Sequence, residues 1–505
     1  MTDRISPLRR LLLGTVAVAL IVPPAAGETL REALVKAYNT NPTINAQRDA
    51  QRANDENVPI ARASGLPSVN ASGSYTEDFV KASNSFVSPD RQLAGQAQLS
   101  VPIYSGGAVR NSISAARTRV EAGRDSLRGT ESDLFTAVVG AYMDVIRDEA
   151  IVSLNQQNVH VLDVNLQASK DRFQVGDLTR TDVAQSDARL ALARSQLQTA
   201  QARLIGSREN YIRLVGSPPE QLETPPVLPN LPTSPDAAVD VALKDNPSLL
   251  AAQKTRDATR YDVDVARAAR LPKLSAGVSG NYYNYLGSLG SGTGVAVTQS
   301  GKSASGGLTL TVPLFQGGRP SAQVRQAQAL RGQAIEQATA AERTVIANTR
   351  SAYASWQSSL EVIASSQTAV SANKLSLEGV RAENSVGNRT ILDILNAEQE
   401  LLNSQVTLVT AQRDAYVAGF ALLAAMGHAE ARDLGLDGGA LYDPLANFNA
   451  VQHRISDWSD GKPARAVGTS TVGTPAQNAQ VTSKLDPLLT APVDTGTQNP
   501  AGGPK

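Results

Sequence analysis

The chain carries the same sequence unit twice. The tripeptides Val175-Gly176-Asp177 and Val386-Gly387-Asn388 lie 211 residues apart, and the same offset pairs Asp182 with Asp393. A long offset that holds over separate motifs indicates two copies of one structural unit. Any fold assigned to the first copy must therefore also suit the second.

Each glycine of these tripeptides interrupts a very long helical pattern. No proline occurs between Pro102 and Pro218 or between Pro320 and Pro444, and Ala, Gln, Arg, Leu, Ser and Val fill both spans. Because nothing in these spans breaks a helix, they predict continuous helices. Residues 107–174 alone predict a rod of roughly 100 Å at about 1.5 Å per residue. Such a rod is longer than the helices of globular domains.

Large apolar residues recur every seven positions in these spans. Before the first glycine the row is Val138, Val145, Val152, Val159, Leu166 and Phe173. After the two glycines the rows are Val183, Leu190, Leu197, Leu204 and Tyr211, and Ile394, Leu401, Leu408, Ala415 and Leu422. A mostly small residue follows three positions after each member of these last two rows. The pattern predicts closely packed helix pairs, with each Val-Gly at the tip of a helical hairpin.

A second periodicity, the alternation of apolar and polar residues, begins after Leu66-Pro67 and after Leu271-Pro272. It predicts four strands of roughly ten residues each, in two hairpins at about residues 67–103 and 272–314. One face of each hairpin is apolar, and each predicted strand is as long as a tilted strand that crosses an outer membrane. An ordinary sheet packed on a helical core is the alternative.

Four strands are too few to close a barrel. An open edge in lipid leaves backbone N–H and C=O groups unpaired, which is strongly unfavourable. Since about eight strands form the smallest useful barrel, at least two chains must share one, and three chains give twelve strands. The predicted fold class is therefore an α+β membrane protein, a duplicated unit of long coiled-coil helices plus a β-hairpin.

Both ends of the chain differ from the repeats. Residues 1–27 predict a cleaved secretory signal, in which three arginines precede about 12 apolar residues, too few for a spanning helix of about 20. The absence of cysteine excludes disulfides and a lipid-anchored N-terminal cysteine. Residues 462–505 are rich in Pro, Gly, Thr and Ser, and predict a disordered tail.

These features divide the chain into consecutive segments. They are the signal peptide (1–27), the first repeat (28–216, hairpin about 67–103, tip 174–182), a Pro-rich connector (217–236), the second repeat (237–427, hairpin about 272–314, tip 385–396), an equatorial segment (428–461) and the tail (462–505).

Lys plus Arg and Asp plus Glu are equal at 47 each, so the charge balance does not favour a nucleic-acid partner.

Three motifs carry a resemblance to a known family. The strand-ending segments VPIYSGGAVR (Val101–Arg110) and VPLFQGGRP (Val312–Pro320), together with SVGNRTILDILNAEQELL (Ser385–Leu402), closely resemble the TolC family of outer-membrane channel proteins. The resemblance covers about residues 28–427, and the lack of cysteine is similar to the non-lipidated branch. It implies a homotrimer in the cell outer membrane, with a twelve-strand β-barrel in lipid, a twelve-helix α-barrel in the periplasm and no cofactor.

The resemblance also implies a function and partners. The family supplies passive exit ducts for tripartite efflux pumps or type I secretion systems. A periplasmic adaptor (a membrane fusion protein) and an inner-membrane transporter of ABC, RND or MFS type open the periplasmic tip. The alternative is a trimeric coiled-coil surface adhesin or structural stalk. That alternative needs a terminal anchor, whereas the strands here lie mid-chain in both copies.

The candidate site residues follow from this resemblance, one position at a time. Asp393 and Asn396 match the pore constriction, where the family usually has two Asp, so three carboxylates rather than six predict weaker cation attraction. Asp182, Arg389 and Asn384 match the latch, the set of links between helix pairs that keeps the channel closed in this family. Asn384 stands where the family has a tyrosine. The tip residues matched to adaptor contact are Val175, Gly176, Asp177, Leu178, Val386, Gly387 and Asn388. From periodicity alone, Asp393 is more typical of a solvated coiled-coil face.

No catalytic site is predicted. His160, His428 and His453 are scattered and show no metal-binding spacing. Residues 300–303 (SGKS) look like the end of a phosphate-binding loop, but Ala296 stands where such a loop needs its first glycine. The same segment leads into a predicted strand rather than a helix. The sequence therefore favours a channel over an enzyme.

Overall fold

The computed structural model of the protein describes residues 27–80, 88–289, 298–436, 441–461, 465–481, 483 and 485–490. The predicted signal peptide, except for Gly27, lies outside the described residues, as do residues 491–505 of the predicted tail. Among the helices within these ranges, none has the length and apolar composition needed to cross a bilayer.

The two repeats have the same order of elements. The first contains α1 (Leu30–Thr40), α2 (Pro42–Asp55), α3 (Asn57–Ala63), β1 (Ser68–Glu77), β2 (Arg91–Tyr104), α4 (Ala108–Gln174) and α5 (Arg180–Val215). The second contains α6 (Pro235–Asp245), α7 (Pro247–Ala268), β3 (Lys273–Asn284), β4 (Ser300–Thr311), α8 (Arg319–Ser385) and α9 (Ile391–Met426). A short helix, α10 (Pro444–Val451), and a 3-10 turn at Pro487–Leu489 follow.

The long helices α4 and α8 have 67 residues each. At about 1.5 Å per residue each is a rod of roughly 100 Å, which confirms the length predicted from the proline-free spans. The helix before β1 is broken at Glu56, three residues before Pro59, whereas the matching helix α7 is continuous. The break is therefore confined to the first copy, because only that copy has a proline there.

Shorter helices stack end to end beside each rod. The Asn41 side chain, which caps α2, donates from Nδ2 to the carbonyl oxygen of Leu214 at the end of α5, at 2.8 Å. In the second repeat, Asn246 caps α7 and donates to the carbonyl oxygen of Ala425 at the end of α9, at 2.9 Å. Each of these asparagines therefore caps the helix that follows it. The same side chain binds a free carbonyl group at the C-terminal end of the helix stacked on it, α5 for Asn41 and α9 for Asn246. Each repeat therefore has a column of stacked shorter helices beside its long helix.

The four strands form one antiparallel sheet in the order β1-β2-β3-β4. The central pairing of β2 with β3 joins the two repeats, with Leu99 opposite Val278. The apolar row of the sheet is uncovered, since Val69, Leu308 and Leu310 are 73%, 69% and 63% exposed. The alternative of a sheet packed on a helical core is therefore wrong.

The core lies between α4 and its neighbours α5, α7 and α9. Val138, Val145 and Val152 of the predicted heptad row have no exposed surface, and Tyr211 of α5 is equally buried. Phe173 belongs to the same row but is 45% exposed. It lies next to the hairpin tip, where the protomer offers too few neighbours to cover it. The other members of this row are buried or half-buried.

The C-terminal region differs from the predicted disordered tail. Within the described part of that region, Leu489 is only 4% exposed, and Ala479 and Val481 pack against the main core. Arg208 donates hydrogen bonds to two backbone carbonyls of the segment. The prediction of disorder is wrong for these residues, because backbone groups hold a segment that has few large apolar side chains.

The segment after α9 covers a titratable side chain of α4. Glu131 is half-buried and accepts a hydrogen bond from the backbone N–H of Ala431 at 2.6 Å. Burial is the main reason that the pKa of Glu131 rises from 4.5 to about 7. The nearby carboxylates of Glu430 and Asp433 raise it further, whereas the Ala431 N–H and Arg48 lower it.

This shift predicts a pH-dependent stability that Glu131→Gln removes. A raised pKa means that the folded protein prefers the protonated acid, so its stabilising contribution is complete below about pH 4.5 and is lost as the pH rises through about 7. The loss amounts to about 3 kcal/mol. Glutamine keeps the acceptor for Ala431 without the charge. Melting of the detergent-solubilised protein should show the variant more stable than wild type at about pH 8 and little different at about pH 5. An equal difference at both pH values would contradict this assignment.

Candidate functional site at the helical tips

Both helical hairpins end in the same backbone motif. Gly176 and Gly387 have φ angles of 87° and 82°, in the left-handed region that favours glycine. In each tip the glycine N–H and the next N–H bond back to the last carbonyls of the long helix, for example Gly387 to Asn384 and Asn388 to Glu383. These paired bonds satisfy carbonyl groups that a helix end otherwise leaves open.

The residues predicted to contact an adaptor lie at these tips. Val175 is 73% exposed and Val386 is 71% exposed. Gly176, Asp177, Gly387 and Asn388 are also exposed, and Leu178 is half-buried. Each tip therefore presents one large apolar side chain to solvent beside a glycine. The adaptor contact itself stays a prediction.

Asp182 and Asp393 occupy equivalent capping boxes. The Asp393 carboxylate accepts from the Thr390 backbone N–H at 2.9 Å and from the Thr390 hydroxyl at 2.8 Å. Asp182 binds Thr179 in the same way, at 2.9 Å and 2.7 Å. These bonds hold the pKa of both carboxyls below the usual range. Both residues therefore start a helix as well as carrying a charge, a role that the sequence analysis missed although Thr-x-x-Asp is its signature.

Arg389 binds within its own tip. Its Nε lies 2.7 Å from Oε2 of Glu383, and Asn384 donates from Nδ2 to the Arg389 carbonyl oxygen at 2.7 Å. The ion pair with Glu383 raises the pKa of Arg389. Within the protomer, the structure thus brings together Arg389 and Asn384 of the predicted latch but not Asp182. A link from Asp182 to Arg389 of another subunit stays a prediction.

Asn396 joins the two hairpins. The Arg189 Nη2 on α5 donates to Oδ1 of Asn396 on α9 at 2.8 Å. This contact connects the first repeat to the second one turn away from Asp393. Sequence reasoning did not find Arg189, because nothing in its local pattern distinguishes it from the other arginines of α5.

A buried carboxylate makes a second connection between the repeats. Glu398 on α9 is 5% exposed and accepts from Asn165 of α4, at 2.9 Å to Oε1 and 3.1 Å to Oε2. Arg381 of α8 donates to the same carboxylate at 3.1 Å. Burial raises the pKa of Glu398, while the bonds from Asn165 and Arg381 lower it. A helical signal existed, since Glu398 lies on the same face as the buried residues Leu395 and Leu402.

Charged residues continue along the boundary between the repeats. Arg413 of α9 binds Asp144 of α4 at 2.9 Å, and Arg147 binds the same carboxylate at 2.9 Å. Among the described residues, no group of three or more His, Cys, Asp or Glu side chains could hold a metal ion. The SGKS segment lies in β4, where its backbone pairs with β3 rather than forming a phosphate-binding turn.

Comparisons with known proteins agree with this architecture. The profile of the family described as outer membrane efflux protein matches residues 33–217 and 238–428. The chain is 34% identical to the outer membrane efflux protein BepC of Brucella suis over 446 residues, which cover 88% of this chain and 94% of BepC. It is 28% identical to the outer membrane protein TolC of Escherichia coli over 477 residues, 89% and 94% of the two chains. Among solved structures, the CmeC outer membrane channel of Campylobacter jejuni superposes with a TM-score of 0.72 at 16% identity, covering 90% of this chain and 98% of CmeC.

Proposed function

Because the chain belongs to the outer membrane efflux protein family, we propose that it forms the exit duct of an efflux or type I secretion system. The protein lies in the cell outer membrane and extends into the periplasm. Its sheet serves as the lipid-embedded part, and its long helices form the periplasmic conduit. The surface adhesin or stalk is not favoured, since the strands occupy the middle of both repeats.

The sheet carries this conclusion. One face is a row of apolar side chains that are exposed in the protomer, and β1 and β4 each have one side without a partner among the described strands. In lipid the apolar row is favourable, but the two open edges are not. In a trimer, β4 of each copy can pair with β1 of the next. The resulting twelve-strand barrel has no open edge and keeps its apolar row in lipid. The same threefold arrangement places the helices of three protomers side by side around one axis.

The tips are the proposed gate. Arg189 with Asn396, and Glu398 with Asn165, tie the first repeat to the second near the tips. In the trimer, Asp393 and Asn396 form the constriction, and Asp182, Arg389 and Asn384 form the latch between neighbouring helix pairs. The exposed valines of the two tips are the surface for a periplasmic adaptor, and an inner-membrane transporter of ABC, RND or MFS type supplies the energy. The channel is passive.

The constriction can be tested by changing charge without changing the cap. Asparagine at position 393 keeps an oxygen for Thr390 and removes three negative charges per trimer. In planar bilayers, wild-type trimer should give small conductances that cations added at the periplasmic side block. Asp393→Asn should weaken this block about tenfold, because the ring loses its charge. Asp182→Asn makes the same change in the equivalent capping box of the other hairpin. As a latch residue it should raise the conductance, but it should leave the cation block unchanged.

Two results would contradict parts of this proposal. A cation block that Asp393→Asn leaves intact would mean that Asp393 lies on a solvated helix face and not in the constriction. A mature protein that is monomeric in detergent and gives no conductance would reject the duct itself. To distinguish efflux from protein secretion, a deletion strain should be tested for sensitivity to small toxic compounds and for missing secreted proteins. Restoration by the wild-type chain is the control for both assays.

A further inference from the structure

The C-terminal segment crosses the helices of both repeats. Residues 468–490 are called the C-terminal strap below; residues 482 and 484 lie outside the described ranges. The strap begins where α2 meets the end of α5. There Thr469 packs against Gly216 so closely that a β-carbon at that glycine would lie 3.0 Å from the Thr469 hydroxyl oxygen. It ends on α8, where Lys374 Nζ donates to the Thr490 carbonyl oxygen at 3.3 Å. A segment of about twenty residues thus contacts five helices, α2, α4, α5, α8 and α9.

The middle of the strap lies extended on the helices. Gln477, Ala479 and Val481 are half-buried, whereas Asn478 and Gln480 between them are exposed. Alternation with a period of two is typical of an extended chain with one face against a surface. Ala479 and Val481 pack against the core built by α4 and α5. The strap therefore has a defined register on these helices.

A buried ion pair anchors this middle part. Arg208 of α5 and Glu149 of α4 are 8% and 6% exposed, and the guanidinium lies 2.6 Å from the carboxylate. The same guanidinium donates to the carbonyl oxygens of Asn478 at 2.7 Å and Gln480 at 2.8 Å. The Ser483 hydroxyl donates to the other oxygen of Glu149 at 2.8 Å. A buried ion pair is favourable only when further hydrogen bonds satisfy its groups, and here the strap supplies three of them.

The end of the strap is anchored on the second repeat. Leu489 is 4% exposed and lies in one cluster with Leu154 of α4 and with apolar residues of α8 and α9. The buried amide of Gln405, on α9, donates to the Leu489 carbonyl oxygen at 2.8 Å. Leu485 packs against the same cluster. The first anchor is on α4 and α5, and the second is mainly on α8 and α9.

From these two anchors we infer that the C-terminal strap is a clamp that opposes separation of the two helical hairpins. Movement of α8 and α9 away from α4 and α5 must break one anchor, either the contacts of Leu489 or the bonds to Arg208 and Glu149. The clamp uses residues other than the tip contacts of Asn396 and Glu398. This inference rests on the proposed function, in which the hairpins separate when the duct opens. The strap therefore biases the duct toward its closed state.

Removal of the strap should make the duct open more readily. A chain ending at Gly461 should show about a tenfold larger open fraction in planar bilayers than the full chain, because the closed state loses both anchors. A synthetic peptide of residues 468–490 should restore the small conductance, and a scrambled peptide of the same composition should not. Leu489→Glu keeps the whole chain and detaches only the second anchor, so it should change the open fraction in the same direction.

The matched control for this substitution is Leu488→Glu. Leu488 is the neighbouring residue of the strap and is 63% exposed, so it should tolerate the charge without detaching the anchor. Its open fraction should equal that of the wild-type chain. An increase as large as that of Leu489→Glu would show that added charge, rather than loss of the anchor, opens the duct.

Several other outcomes would overturn the clamp. One is a trimer of the chain ending at Gly461 that has the conductance of the full chain. Another is a raised conductance of that shortened chain that the peptide of residues 468–490 does not lower. If the shortened chain does not assemble, Leu489→Glu decides, and a wild-type open fraction in that variant refutes the inference. Failure of the proposed function is distinguishable, because the wild-type chain would then show neither a trimer nor any conductance.

Discussion

Val278→Arg should abolish accumulation of the trimer in the outer membrane. Val278 is the sixth of the twelve residues of β3, 54% exposed on the apolar face, and it lies opposite Leu99 and Gly306. In the proposed trimer we expect this position to lie near the middle of the lipid layer, because it is at the centre of the strand. An arginine facing lipid there costs about 2–4 kcal/mol per strand, and three copies cost roughly 6–12 kcal/mol. That sum is as large as the whole stability of many folded proteins, about 5–15 kcal/mol.

Ser279→Arg is the matched control. Ser279 is the next residue of the same strand, so its side chain points to the opposite face of the sheet. There it contacts Ser305, with the two hydroxyl oxygens 3.0 Å apart. In the proposed trimer that face is expected to line the water-filled interior, so an arginine should be tolerated. Membrane fractions analysed without boiling should show trimer for wild type and Ser279→Arg, and none for Val278→Arg. Equal trimer in both variants would mean that the apolar row does not face lipid.

Much of this fold was accessible from the sequence because its determinants are local and repeat. The absence of proline over two long spans predicted α4 and α8, and the heptad row predicted the burial of Val138, Val145 and Val152. Alternation of apolar and polar residues predicted the strands and their apolar row. In each case a backbone preference or a short period decides the structure, and the second copy repeats the evidence.

The contacts that tie the repeats together were not accessible in this way. Asn165 and Glu398 are 233 residues apart, and Arg208 binds carbonyls some 270 residues later in the chain. No period links such residues, because their proximity results from the packing of whole helices. The strap was misjudged for a related reason. Composition measures how much apolar surface a segment can bury, whereas this one is held largely through its backbone.

Glu398→Ala should loosen the tips more than any other single change among the contacts between the repeats. The carboxylate is buried and accepts from α4 and α8 at once, so it joins three helices of the protomer. Alanine leaves the Arg381 guanidinium without this acceptor and Asn165 without both bonds. Breaking a buried ion pair by removing one partner costs about 3–5 kcal/mol, far more than loss of an exposed pair. Three such losses per trimer should lower Tm and increase conductance.

Glu398→Gln separates the charge from the hydrogen bonds. The glutamine carbonyl oxygen can still accept from Asn165 or Arg381, so this variant should retain more of the wild-type Tm than the alanine variant does. If hydrogen bonding between repeats holds the tips together, conductance should rise in the order wild type, Gln, Ala, and Tm should fall in the same order. A Glu398→Ala trimer that melts and conducts like wild type would show that the tips are held elsewhere. The capping aspartates and the Arg389 tip would then be the next candidates, because Asn396 and Arg189 are bound at the surface, where a hydrogen bond contributes less.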